Sequence, residues 1–249
     1  MISAGRCDKG KHRENNEDAI FIYDSQFGCL PNLYIVADGM GGHRAGEYAS
    51  SLAIQSFCDY VHEHRNDVIS NDNIQEFLTN AIAHTNNIVF EKAMQNELYK
   101  GMGTTFLVAV LMEDIIHVAH VGDSRLYIIG KDEIHQLTLD HSFVEEMVRK
   151  GTISEEEALN HPKRHAITRA VGTNPTVDVD VYTSKIEEES IILMCSDGLS
   201  NMLNNEEIIH IVKIKDNLDE IAQTLVDKAN ENGGLDNISV IIIRGTKGR

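Results

Sequence analysis

The chain has 249 residues and carries 22 Lys and Arg against 39 Asp and Glu, a formal net charge of -17. Such acidity argues against nucleic acid and anionic membranes as partners, because both would be repelled. Its length and its 42% hydrophobic content suffice for a core without disulfide or metal staples.

Taken in order, 2–7 and 19–23 read as short strands flanking a polar loop, and 33–37 as a buried strand that stops at Asp38. Gly39, Gly41 and Gly42 let the backbone turn there, and a helix pattern starts at Arg44. A second helix presents Ile74, Phe77, Leu78, Ala81 and Ile82 on one face, with Asp72 expected as its N-cap. The period then shortens: 104–112, 115–121, 125–129 and 133–136 read as a four-strand antiparallel meander. The stretch 140–172 is polar and holds two capping boxes, at Ser142 and Ser154, so it reads as a surface excursion. Strands are expected at 177–182, 191–195 and 238–243, and helices at 206–212 and 218–229. Strand runs interrupted by helix pairs predict an α+β fold of packed sheets with helices outside.

Cys7, Cys29, Cys58 and Cys195 are scattered, with neither metal spacing nor a disulfide framework, which suits a reducing compartment. The first residues lack a signal-peptide core, and no apolar run nears the ~18 residues needed to span a bilayer. A cytoplasmic location without membrane insertion is expected.

The chemistry lies in the acids at strand ends. Asp38, Asp123 and Asp197 each follow an apolar strand, whereas Asp18 and Asp236 stand just before one. In an antiparallel sheet the end of one strand and the start of its neighbour share an edge, so these five can converge on one rim. For any one of them alone, a turn-capping role is the favoured reading. Five together need compensating charge, and an all-oxygen donor set favours magnesium or manganese over zinc. Two such ions can bridge one water, lower its pKa and direct it at phosphorus.

Seven segments, in order, resemble the metal-dependent serine/threonine protein phosphatases, the protein phosphatase 2C family and its bacterial branch in particular. They are Arg13-Glu14-Asn15-Asn16-Glu17-Asp18, Asp38-Gly39-Met40-Gly41-Gly42-His43, Gly103-Thr104-Thr105, Gly122-Asp123-Ser124-Arg125, Asp140-His141-Ser142, Ser196-Asp197-Gly198-Leu199 and Gly233-Gly234-Leu235-Asp236-Asn237-Ile238-Ser239. The resemblance implies an α-β-β-α sandwich of two central antiparallel sheets, forming one domain over 1–249 with a mobile flap at about 142–172. It implies that Asp38 bridges two ions, Gly39 lends its carbonyl, Asp197 and Asp236 complete the first site, and Asp123 with Asp197 holds a weaker third ion. Asp18 would act through metal-bound water, Arg13 would grip the substrate phosphate, and His43 would protonate the leaving group. Arg suits the grip because its planar fork can pair two phosphate oxygens, and His suits proton donation near neutral pH.

The expected activity is hydrolysis of phosphoserine and phosphothreonine on proteins by direct attack of a metal-bridged water, with Mn2+ or Mg2+ as cofactor. The partners expected are phosphoproteins, those of an opposing serine/threonine kinase, and the chain is expected to be a monomer. Two alternatives stand beside this. A pseudophosphatase would keep the metal and bind a partner without turnover. A cysteine-dependent phosphatase would use the Cys-x5-Arg spacing of Cys7 and Arg13, where a thiolate attacks phosphorus.

Overall fold

A computed structural model describes residues 2–42, 44–131 and 133–245, excepting the side chains of Ile2 and Leu159. Strands β1 (Ile2–Asp8), β2 (Asp18–Tyr23) and β3 (Leu33–Met40) are followed by helices α1 (Ala45–Glu63) and α2 (Ile74–Gln95). Next come β4 (Gly103–Thr104), β5 (Phe106–Met112), β6 (Ile115–Val121), β7 (Arg125–Ile129) and β8 (Ile134–Gln136). Short helices α3 (Phe143–Arg149) and α4 (Glu155–Leu159) lead to β9 (Asp180–Lys185) and β10 (Ile191–Cys195). The chain closes with α5 (Asp197–Ser200), α6 (Asn205–Lys213), α7 (Leu218–Glu231) and β11 (Ile238–Arg244).

Two antiparallel sheets form the centre. One runs β1-β11-β10-β7-β8; the other runs β2-β3-β5-β6-β9, with β4 paired to β3. Alternation along each central strand explains why these runs are mostly apolar. On β3, Leu33, Ile35 and Ala37 pack with the α1 and α2 side chains, while Tyr34 and Val36 face the other sheet. On β11, Ile238, Val240 and Ile242 meet α6 and α7, while Ile241 and Ile243 meet Tyr34 and Val36 between the sheets. With both faces buried, neither strand has a solvent side to carry polar residues. The α-β-β-α order of layers follows, as expected. Cys195 is buried in the layer beneath α6 and α7, and His120 is buried and held neutral, its pKa pushed down to about 3 by desolvation.

The four-strand meander is overturned. β5 and β6 pair with each other, but β7 leaves for the opposite sheet and pairs with β10 and β8. Gly122 makes the crossing possible: its φ is +114°, and a Cβ there would strike Thr105. β3 does not stop at Asp38; Gly39 and Met40 continue it by pairing with Thr104 and Gly103. The strand expected at 177–182 forms later, as Asp180–Lys185, where it pairs with β6. The N-cap of α2 is Asn73 rather than Asp72, and its side chain accepts from Ser70 N outside the helix. The Ser154 capping box closes in both directions, whereas Ser142 only accepts from Glu145 N.

Candidate active site

The five acids meet on one rim, each delivered by a different element. Asp18 opens β2 and lies opposite Asp38 of β3 in the ladder. Asp123 sits in the β6–β7 crossing, Asp197 begins α5 immediately after β10, and Asp236 precedes β11. The Gly103-Thr104-Thr105 segment fixes the Asp38 backbone: Thr105 N and Thr104 Oγ1 donate to its carbonyl at 2.8 and 2.9 Å, and its N–H donates to Thr105 Oγ1 at 2.9 Å. The Asp123 turn is held through Gly122, whose N–H donates to His141 Nδ1 at 3.0 Å, and through Arg125, which forks onto Asp140 at 2.7 and 3.0 Å.

The electrostatics are those of a negative cluster short of counter-charge. Burial first, then Asp18, Asp197, Asp123 and Asp236, hold the Asp38 pKa well above the ordinary carboxylate range. Asp123 and Asp197 are raised in the same way, by burial and then by neighbouring acids. Asp18 is pushed up to about 7, chiefly by burial, although Ser196 Oγ donates to its Oδ2 at 2.7 Å. Asp197 Oδ1 is buried with no hydrogen-bond partner. Arg13 pairs directly with the cluster, its Nη2 donating to Asp236 Oδ2 at 2.7 Å, and Arg125 offsets part of the charge on Asp123 and Asp197.

As they stand, no three His, Cys, Asp or Glu side chains among the described residues are arranged to hold a metal ion. The cluster nevertheless offers what a hard divalent cation uses: oxygen donors only, unbalanced negative charge and an unpartnered buried carboxylate oxygen. The residues present fit such an ion.

A cleft of about 1160 Å³ opens over the rim. Arg13, Asp38, Asp123, Asp197 and Asp236 line it, with Asp18 buried behind them; Val144, Val148, Arg164, His165 and Ile167 come from the segment carrying α3 and α4. That segment is tied at its root, where Phe143 N donates to Ala166 O at 2.8 Å and Thr168 N to His141 O at 2.7 Å. His43 lies outside the described residues.

Cys7 is unlike a phosphatase nucleophile. It lies in β1 opposite Ser239, and its Sγ is 2.7 Å from Ser239 Oγ. Loss of hydration, with added repulsion from Asp18 and Asp8, raises its thiol pKa, whereas a nucleophile needs it lowered. Arg13, the other half of the spacing, turns to Asp236 instead.

The protein phosphatase 2C family model matches residues 10–237, nearly the whole fold and every acid on the rim. The chain belongs to the protein phosphatase 2C family. Among its relatives, the serine/threonine phosphatase stp of Listeria innocua is 38% identical over 243 residues, covering 98% of this chain and 95% of that protein. The crystal structure of serine/threonine phosphatase Stp1 from Staphylococcus aureus superposes with a TM-score of 0.90 at 34% identity, covering 98% of this chain and 95% of that one. The catalytic domain of the serine/threonine protein phosphatase PstP, solved with two manganese ions, has a TM-score of 0.82 at 31% identity, covering 97% and 96%. As a 2C-family member the chain is a metal-dependent protein phosphatase, acting on phosphoproteins. No described helix is long and apolar enough to cross a membrane.

Several residues that serve the site carried no role in the sequence reading. Thr104 and Thr105 stand in a quoted segment, yet their work is to hold the Asp38 backbone. Ser196 and Asn237 each adjoin an acid, and each bonds across to a distant segment. Adjacency to an acid was the available signal; the partner could not be read from it.

Proposed function

We propose that this phosphatase removes phosphate from serine and threonine side chains of proteins, as its relatives' names indicate for them. The observation that carries the reading is the buried acid cluster, with Arg13 paired to Asp236 in the cleft. Asp38, Asp197, Asp236 and the Gly39 carbonyl would hold two divalent ions, Mn2+ or Mg2+, and Asp123 with Asp197 a weaker third. When bound, the ions supply Lewis acidity at the phosphoryl oxygens and lower the pKa of the attacking water.

The chain's own groups do the rest. Arg13 presents a two-pronged donor to the phosphate oxygens. Asp18, fixed by Ser196, orients water at the rim. His43 gives a proton to the departing alkoxide, a role taken from its motif. Hydrolysis needs no phosphorylated residue. The segment 142–172 forms a flap within a single domain over 1–249. An opposing serine/threonine kinase, a monomeric state and a cytoplasmic location complete the proposal. Unpaired cysteines among the described residues support a reducing compartment.

The pseudophosphatase alternative is disfavoured because all five acids are present and gathered on one rim. The deciding measurement is phosphate release from a phosphothreonine peptide after exhaustive chelation, with and without added manganese. Release restored by manganese, and retained in Cys7→Ser, is expected. Turnover that survives chelation but dies in Cys7→Ser would transfer the chemistry to the thiol, and no turnover in either state would favour the pseudophosphatase.

A further inference from the structure

Arg13 sits on the loop between β1 and β2, a polar stretch with no secondary structure of its own. Residues 11–15 are all exposed, and the Arg13 side chain is 48% exposed. Such a loop has little apolar burial to hold it, so hydrogen bonds must decide where Arg13 points. Lys11 N and His12 N both reach Gly234 O, at 2.8 and 3.3 Å, fixing the first half. In the second half Asn16 Nδ2 donates to Cys7 Sγ at 3.3 Å and Glu17 O accepts from Gly39 N at 3.1 Å and Ser50 Oγ at 2.6 Å, but one further side chain reaches both halves.

That side chain is Asn237, at the start of β11 and only 4% exposed. Its Nδ2 donates to Lys9 O and to Asn15 O, both at 2.9 Å. Its Oδ1 accepts from Glu17 N at 2.7 Å. One amide thus joins the loop's entry to its exit and uses both donor hydrogens and its acceptor. The neighbouring Asp236 receives the Arg13 guanidinium, so the loop and its arginine are held by adjacent residues of one short segment. Gly10 shows how close the fit is: its φ is +76°, and a Cβ there would collide with the Asp236 backbone oxygen.

We propose that Asn237 is the positioning residue for Arg13, pinching the 9–17 loop so that the guanidinium stays aimed at the phosphate in the cleft. This rests on the phosphate role given to Arg13 above. Asn237 touches neither substrate nor ion in this role; it acts through the loop. An amide is required because the site asks for two donors and one acceptor together. A carboxylate of the same shape would keep the Glu17 contact and set negative charge against two carbonyl oxygens.

The test is a double-mutant cycle on the manganese-loaded enzyme, with kcat and KM measured on a phosphothreonine peptide. Asn237→Ala is expected to raise KM about tenfold and leave kcat within about twofold, the pattern of lost ground-state binding. In the Arg13→Ala background the same change is expected to add nothing. Additive losses in the double variant, or a fall in kcat at unchanged KM, would overturn the proposal. Manganese affinity by calorimetry is expected to be unchanged in Asn237→Ala; a matching loss would mean that Asn237 acts on Asp236 instead, and the proposal would fail. Should Asn237→Ala not fold, the isosteric Asn237→Asp carries the question, and a wild-type KM there would also overturn it. Arg13→Ala with unchanged kcat/KM would instead refute the phosphate role of Arg13, an outcome read from a different variant.

Discussion

Asp38 shows how much a single residue can be asked to bear. It is buried among Asp18, Asp197, Asp123 and Asp236, and its raised pKa records that crowding. Burying like charges together opposes folding unless protons or cations intervene. Asp38→Asn should therefore separate function from stability. In its proposed role as a direct ligand, Asp38 matters at least as much as supporting partners would, so activity with manganese should fall at least about a hundredfold. The melting temperature in chelator should hold or rise, because one repelling charge is gone. A clear drop there would mean that Asp38 is not part of a repulsive cluster. The acids themselves were legible from their places at strand ends. Asn237, Ser196 and Thr105 were not, because each works through a hydrogen bond to a segment far away in the chain.

At the scale of elements, the segment proposed as a flap is lightly supported. α3 has seven residues and α4 five, too short to stand alone in water, and no described residue from Phe143 to Arg169 is fully buried. What holds it is capping, a few root hydrogen bonds, and local contacts such as Lys163 Nζ 5.0 Å from the Phe143 ring centroid. An element so lightly held suits adjustment to a bulky substrate. Val148 lines the cleft from α3. Val148→Asp should lower kcat/KM for a phosphothreonine peptide about fivefold, the worth of roughly 1 kcal/mol of contact. A small aryl phosphate, reaching only the floor, should be hydrolysed almost as before. Equal losses on both substrates would count against a flap that reads the peptide. Strand and helix existence was largely readable from periodicity, but sheet membership was not. β6 and β7 are neighbours in sequence and still belong to different sheets, since Gly122 redirects the chain at a point that looks like any tight turn.

For the whole molecule, the acid cluster links stability to pH and to metal. Asp18 rises from its ordinary 3.8 to about 7, and Asp38, Asp123 and Asp197 rise with it. The folded chain thus keeps protons that the unfolded chain releases. For Asp18 the stability this provides is complete below about pH 4 and is lost as pH climbs through 7, and the other three acids act in the same direction. Chelated protein should accordingly melt at a lower temperature at pH 8 than at pH 5. Manganese should raise the melting temperature more at pH 8 than at pH 5, because ions then replace protons that have left. The net charge of -17 also repels itself less in acid. Asp38→Asn separates the two effects by flattening the slope that belongs to the cluster. An equal manganese effect at both pH values would disconnect the metal from these acids.

The sequence by itself determined the inventory. Apolar runs fixed where most strands and helices form, and Asp at strand ends marked the chemistry, because burial and backbone geometry restrict which residues can stand there. It also set the family, through seven short segments in a fixed order. Only the tertiary structure decided which strand joined which sheet, that five acids share one rim, and that Asn237 holds the loop bearing Arg13. Those facts depend on contacts between residues as far apart as Lys9 and Asn237. Such a contact leaves no local pattern, because its stabilisation exists only once both sheets have been assembled.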